Sequence, residues 1–261
     1  MTLSPDELYT QLYDISGVGW PGEMEYYLAL AAGAKAKGQA VLEIACGTGR
    51  IAIALAQQVG CQVTGVDLSA FMIEQARRKT SGMDNVRWLV GDMRSFDAGG
   101  PFGLAIIPGH SFQFMTTPND QVACLNCIHR HLLPGGKLVV HIDHPEIDWL
   151  AGLPAQDGIF EAGKPLTHPQ TGQIYRPSWA WTYDRCTHTA SVVMVYDELG
   201  ADDQVIRRYE RPQIHLHVVF RYEMEHLLRR AGFTIEALYG NFNREEFRGD
   251  SSQMIWEVKK E

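Results

Sequence analysis

Three features of the 261-residue chain predict an α/β fold built on a mostly parallel sheet. Short apolar runs alternate with segments of helical period from residue 41 to residue 143, an order that lays parallel strands under covering helices. The first run, Val41-Leu42-Glu43-Ile44, leads into closely spaced glycines at 47 and 49 and continues as Ile51-Ala52-Ile53-Ala54-Leu55-Ala56, which reads as a buried strand, a tight turn and a helix. After residue 146 the pattern changes to consecutive extended segments, so an antiparallel sheet is expected as an insert.

Residues 1–40 read as helical segments around a Trp20-Pro21-Gly22 break. Ser4-Pro5-Asp6-Glu7 supplies a cap followed by proline at the first helical position, and Leu8, Leu12 and Ile15 recur at helical spacing. Residues 61–67 form the second strand, Ser69 caps a helix from Ala70 to about Thr80, and residues 86–90 form the third strand. Residues 102–107 are apolar throughout, as a central parallel strand should be. Thr117-Pro118-Asn119-Asp120 opens a helix that runs to about His131, and Pro134-Gly135-Gly136 turns the chain into a fifth strand over 138–142. The insert is expected to hold three extended segments, near 174–184, 188–198 and 204–220, with a turn at Gly200-Ala201-Asp202-Asp203. An amphipathic helix from Arg221 is stopped by Gly232, and two strands follow near 233–239 and 253–258.

Composition narrows the function. A formal charge of −8 argues against a broad nucleic-acid footprint, which needs clustered Lys and Arg. Five cysteines without a framework spacing suit a reducing cytoplasm, and Cys124-x-x-Cys127 reads as core-facing within a helix. Neither a signal peptide nor an apolar run of about 18 residues is expected to direct the chain out of the cytoplasm or into a membrane.

The chemistry gathers at the strand ends. Glycines at 47 and 49 permit a left-handed turn and a close backbone approach, and the helix behind them offers unpaired amides. Gly47-Thr48-Gly49-Arg50-Ile51-Ala52 also satisfies the dinucleotide fingerprint in its Ala-ended form, with Asp67 twenty residues beyond Gly47. A carboxylate accepts hydrogen bonds in pairs, so Asp67 can hold both ribose hydroxyls of an adenosine, with Leu68 and Met72 as apolar cover for its ring. Glu43 is placed to approach a cationic amino group, and Ala45 and Cys46 give the turn small walls. Pro108-Gly109-His110-Ser111-Phe112 follows the fourth strand, where ligands of open α/β sheets sit, so Pro108 and Phe112 should line the site. His110 is the first candidate for a titrating group. Asp143 and His144, at the end of the fifth strand, face the substrate on this reading. His141, Asp143 and His144 do not make a convincing metal site, nor does His215-x-His217, so no metal is expected. In the insert, Trp179, Trp181 and Tyr183 alternate onto one face, as do His215 and His217; they wall a substrate pocket or form the buried face of the insert.

Glu43-Ile44-Ala45-Cys46-Gly47-Thr48-Gly49 resembles the first motif of the class I S-adenosylmethionine (SAM)-dependent methyltransferases, and four further segments match that family in order. The Tyr13-Asp14 pair followed by Trp20-Pro21-Gly22 resembles a bacterial small-molecule branch. The resemblance implies a Rossmann-like, seven-stranded, mostly parallel sheet with helices on both faces and an antiparallel β lid inserted after the fifth strand. Its domains would be an N-terminal helical cap (1–40), a SAM-binding domain (41–145 and 218–261) and the inserted lid (146–217). It implies that Tyr13 reaches the methionine carboxylate, that Asp92 pairs with the adenine amino group beside Met93, and that Trp20 borders the substrate.

The expected activity is in-line transfer of a methyl group from SAM to a nitrogen or oxygen of a small molecule, leaving S-adenosylhomocysteine, with His110 or His144 as base if the nucleophile arrives protonated. Trp20, Phe112, Asp143, Trp181 and His217 are the substrate-facing candidates. Partners are then a small-molecule acceptor, with a homodimer left open, and neither a membrane nor nucleic acid. An RNA or protein methyltransferase, a nicotinamide-dependent oxidoreductase and a cofactor-binding sensor are the alternatives.

Overall fold

The computed structural model describes residues 3–17 and 19–261. By contact density the chain divides into two units, Gly19–Pro145 with Val219–Glu261, and Met1–Val18 with Glu146–Val218. The expected 1–40 segment is therefore shared between units, and its residues 1, 2 and 18 lie outside the described ones.

In chain order, α1 (Pro5–Tyr13) precedes α2 (Glu23–Ala36), and β1 (Val41–Ile44) leads into α3 (Arg50–Ala54), which continues as a wider turn over Leu55–Val59. Then come β2 (Val63–Asp67), α4 (Ala70–Lys79), β3 (Val86–Val90), β4 (Phe102–Ile107), α5 (Pro118–His131) and β5 (Leu132–Asp143). The insert carries α6 (Ile147–Gly152), β6 (Phe160–Ala162), β7 (Leu166–Thr167), β8 (Ile174–Asp184), β9 (Thr189–Leu199), β10 (Val205–Glu210) and β11 (Ile214–His217). The chain closes with α7 (Arg221–Arg230), β12 (Phe233–Tyr239) and β13 (Gln253–Lys260).

The larger unit is a seven-stranded sheet in the order β12-β13-β5-β4-β1-β2-β3. β1 to β5 pair in parallel, whereas β13 runs antiparallel to both β5 and β12. Every residue of β1 and β4 is buried, which is why both read as near-continuous apolar runs. Alternation along the strands feeds two cores. Leu42, Ile44, Phe112, Leu125 and Trp256 fill one, and Val41, Tyr27, Ile51, Ile106 and Ile255 the other. Ser69 and Thr117 cap α4 and α5 by accepting the amides of Met72 and Asp120.

The insert forms a second, antiparallel sheet in the order β10-β9-β8-β6, in which β11 also pairs with β9 and β7 with β8. Its core is small and aromatic: Leu8 and Leu12 of α1 pack with Tyr175, Tyr196 and Tyr209. The extended segment expected over 204–220 is broken into β10 and β11, because Pro212 between them has no amide to donate to a ladder. No helix of the described residues is long and apolar enough to cross a membrane.

Candidate active site

The carboxyl ends of the parallel strands hold most of the residues singled out from the sequence. At the end of β2, Asp67 accepts the backbone amides of Gly47 and Ser69, both at 2.8 Å, one on each carboxylate oxygen. It thereby ties the glycine turn to the start of α4. A carboxylate has about four acceptor sites, so two stay available for a ligand. Leu68, which follows, is 72% exposed, and Phe71 and Val90 nearby in the chain order of α4 and β3 are exposed as well. Gly47 and Ala45 adopt left-handed backbone, with φ of 56° and 55°. Gly49, at φ 85°, has a different reason to lack a Cβ: one built there would lie 2.4 Å from the Trp88 indole. Its absence serves packing beneath the turn.

Glu43 lies buried beneath the glycine turn. It is 1% exposed and accepts the Ala52 amide at 2.7 Å, satisfying a first-turn donor of α3 from below. Burial pushes its carboxyl up to about 8, against the opposing pull of the Ala52 amide and Arg50. Arg50 in turn pairs with the buried Glu23 at 2.6 Å. Asp92 is held by Arg94, whose other arm reaches Asp120, and this pairing keeps the Asp92 carboxyl below the usual carboxylate range.

A second polar group stands at the ends of β4, β5 and β13. His110 follows Pro108 and Gly109 in left-handed backbone, φ 63°, a conformation that costs a non-glycine residue about 1–2 kcal/mol and turns its ring back over the sheet. Its Nδ1 lies 3.0 Å from an Asp143 carboxylate oxygen. Its Nε2 lies 3.1 Å from His141 Nε2 and 2.8 Å from the side-chain oxygen of Gln253. The Trp20 ring covers both imidazoles, with centroids 4.6 and 4.7 Å away. His141 is fully buried, and that burial, with the His110 ring beside it, brings its pKa down to about 3.

Comparison with known proteins shows what this arrangement is similar to. Residues 41–136 match the model of a family described as a methyltransferase domain. A Bacillus subtilis (strain 168) protein named as a methyltransferase is 37% identical over 105 residues, 39% of this chain and 41% of that one. The chain thus aligns with less than half the length of that relative. The CcbJ methyltransferase of Streptomyces caelestis superimposes with a TM-score of 0.75 at 22% identity, over 97% of this chain and 96% of that one. An amino pentose methyltransferase of Micromonospora echinaspora, solved with SAM bound, has a TM-score of 0.70 at 21% identity, over 100% and 98%. Residues 41–136 thus resemble a methyltransferase domain, and the two solved methyltransferases share the fold of the chain.

Within the sheet unit the structure brings together Asp67, Leu68, Gly47 and Gly49, and separately Trp20, His110 and Asp143. Two expectations are corrected. Phe112 is completely buried in the large core and not open to a substrate, because the turn after β4 folds into a short 3-10 helix, Ser111–Phe114, that points it inward. Met72 faces inward from α4 and is 6% exposed, leaving Leu68 and Phe71 as the open apolar groups. Pro108 contributes its carbonyl to Ser111, and Met93 packs against the core. His144 is anchored through Nδ1 to the Ser251 carbonyl at 2.6 Å and against the Phe247 ring. Tyr13, Trp181 and His217 belong to the other unit, where Tyr13 meets the Tyr9 ring, Trp181 meets the Trp149 ring, and His217 pairs with Thr189 across β11 and β9. Among the described residues, no group of three or more His, Cys, Asp or Glu could hold a metal ion. Sequence reasoning missed Gln253. The antiparallel register that sets it opposite Asp143 reveals its place, and a polar residue just ahead of the apolar run Met254-Ile255-Trp256 was the available signal.

Proposed function

We propose that the chain is a cytoplasmic SAM-dependent methyltransferase that moves a methyl group to a nitrogen or oxygen of a small molecule. The observation that carries this reading is the Asp67 carboxylate, fixed by the Gly47 and Ser69 amides with acceptor sites to spare. Paired hydroxyls of a ribose suit such a carboxylate, and the exposed Leu68 and Phe71 suit the faces of an adenine. The residues present therefore fit the nucleoside of SAM. The amino pentose methyltransferase, which shares the fold and has SAM bound, supports the same assignment. Five unpaired cysteines suit the reducing cytoplasm.

When bound, SAM would supply an electrophilic methyl group on a sulfonium, whose sulfur is a good leaving group because it departs as a neutral thioether. The work left to the chain is to hold the nucleophile in line and to take its proton if it arrives with one. Positioning of this kind contributes roughly 7–11 kcal/mol to a rate enhancement. The turn at Pro108–His110 stands beyond the carboxyl end of β4 and Asp143 at the carboxyl end of β5, where sheets of this class meet their ligands. Asp143 and His110, 3.0 Å apart, are the proton-handling pair on this reading.

Thermal melts with S-adenosylhomocysteine, NAD and NADP test it. S-adenosylhomocysteine at 100 times its Kd is expected to stabilise the protein by about 2.7 kcal/mol, and Asp67→Ala is expected to remove the shift. A shift with the nicotinamide nucleotides alone would overturn the proposal. Transfer of a labelled methyl group to a panel of amines and alcohols then identifies the acceptor.

A further inference from the structure

The histidine network beside Trp20 fixes the positions of its own protons. Three polar atoms converge in it, His110 Nε2, His141 Nε2 and the Gln253 side-chain oxygen, at separations of 3.1, 2.8 and 2.5 Å. A carboxamide oxygen only accepts, and a neutral imidazole carries a single N–H. His141 decides between the arrangements. Its ring is buried and its Nδ1 has no hydrogen-bond partner. A proton on Nδ1 would be an orphaned buried donor, whereas a proton on Nε2 donates to Gln253 at 2.5 Å and leaves only an idle lone pair. With His141 donating, the oxygen of the Gln253 amide must face the two rings, because the flipped amide would set N–H groups against that proton.

His110 Nε2, 2.8 Å from the same oxygen, therefore also donates. Its Nδ1 faces the Asp143 carboxylate at 3.0 Å and donates there. In this arrangement both ring nitrogens of His110 would act as donors, leaving neither with a lone pair to offer a substrate. The Trp20 ring at 4.6 Å is a favourable neighbour for a cationic imidazole. Asp143 is the exposed member of the group: its side chain is 47% accessible, against 19% for His110.

We propose that Gln253 and His141 are positioning residues that hold His110 as a double donor, so that the Asp143 carboxylate, and not a histidine nitrogen, takes the proton released by the methyl acceptor. The proposal rests on the methyl-transfer reading for the source of that proton. As the acceptor's lone pair bonds to the methyl carbon, the carbon–sulfur bond would break and leave its electron pair on the sulfur of S-adenosylhomocysteine, while the acceptor's N–H or O–H bond breaks and its proton goes to an Asp143 oxygen, from which it passes to water. His110 keeps both of its protons throughout.

Histidine 15N NMR of the whole protein at neutral pH is the test, with signals assigned through His110→Gln and His141→Gln. Both His110 nitrogens are expected to be protonated, and His141 is expected as the Nε2–H tautomer. Gln253→Met keeps the length of the side chain but removes the acceptor, and should return His110 to a single proton; Gln253→Glu supplies another acceptor and should preserve both. In turnover, Asp143→Asn should lower kcat by about a hundredfold with KM for SAM unchanged. An unprotonated His110 Nε2 in the wild type, a His110 indifferent to Gln253→Met, or full turnover by Asp143→Asn would overturn the proposal. Each of those results is compatible with S-adenosylhomocysteine binding, whereas the expected spectra without such binding would overturn the methyl-transfer reading instead.

Discussion

Two buried titratable groups of the sheet unit pull stability in opposite directions. Burial raises the Glu43 carboxyl from 4.5 to about 8, so between those values the native chain keeps a proton that the unfolded chain has released. Its contribution to stability therefore falls as pH rises, by up to about 1.4 kcal/mol per pH unit. Burial lowers His141 from 6.5 to about 3, so in that window the unfolded chain binds the extra proton and stability falls as pH drops. The two slopes cancel where the windows overlap. Urea midpoints should be flat with respect to these groups between 4.5 and 6.5 and should decline on either side. Glu43→Gln is expected to remove the alkaline decline, and His141→Phe the acid one. Asp67 was readable from its place after an apolar strand, twenty residues past Gly47. The burial of Glu43 was not, because strand alternation tells which face a side chain takes but not whether a helix amide waits there to bind it.

The glycine turn joins strand to helix through a contact made by neither. A Cβ at Gly49 would press on Trp88 of β3, whose indole donates to Thr80 at the end of α4. Gly49→Ala combines that clash with a left-handed φ, and is expected to cost about 2–5 kcal/mol in urea unfolding. Ser69→Ala, which removes only a cap, should cost about 1 kcal/mol. Helix starts were readable because Ser4, Ser69 and Thr117 carry their caps in sequence, and each side chain accepts the amide expected of it. The partner of α1 was not readable. Leu8 and Leu12 announce an apolar face, but nothing local says that Tyr175, Tyr196 and Tyr209 receive it. The start of β5 at Leu132, ahead of Pro134 and two glycines, was hidden for a similar reason: its pairing with Phe102 is tertiary.

The molecule divides its apolar surface unequally. The sheet unit owns two extensive cores on the faces of β1, β4, β5 and β13, while the insert relies on a small aromatic cluster. Hydrogen exchange should follow that division, with amides of β1 and β4 the slowest and those of β6, exposed along its whole length, among the fastest. Equal protection in both sheets would contradict the division. β13, seventh of the sheet strands in chain order, is inserted between β12 and β5 and brings Gln253 opposite Asp143. About 110 residues separate these two partners. A ribosome adding about 5–20 residues per second needs roughly 5–20 s to make that stretch. During that interval the nascent chain holds its glycine turn and Asp67 but lacks the strand that organises His110. The capacity to bind a nucleoside is thus born before the capacity to handle a proton.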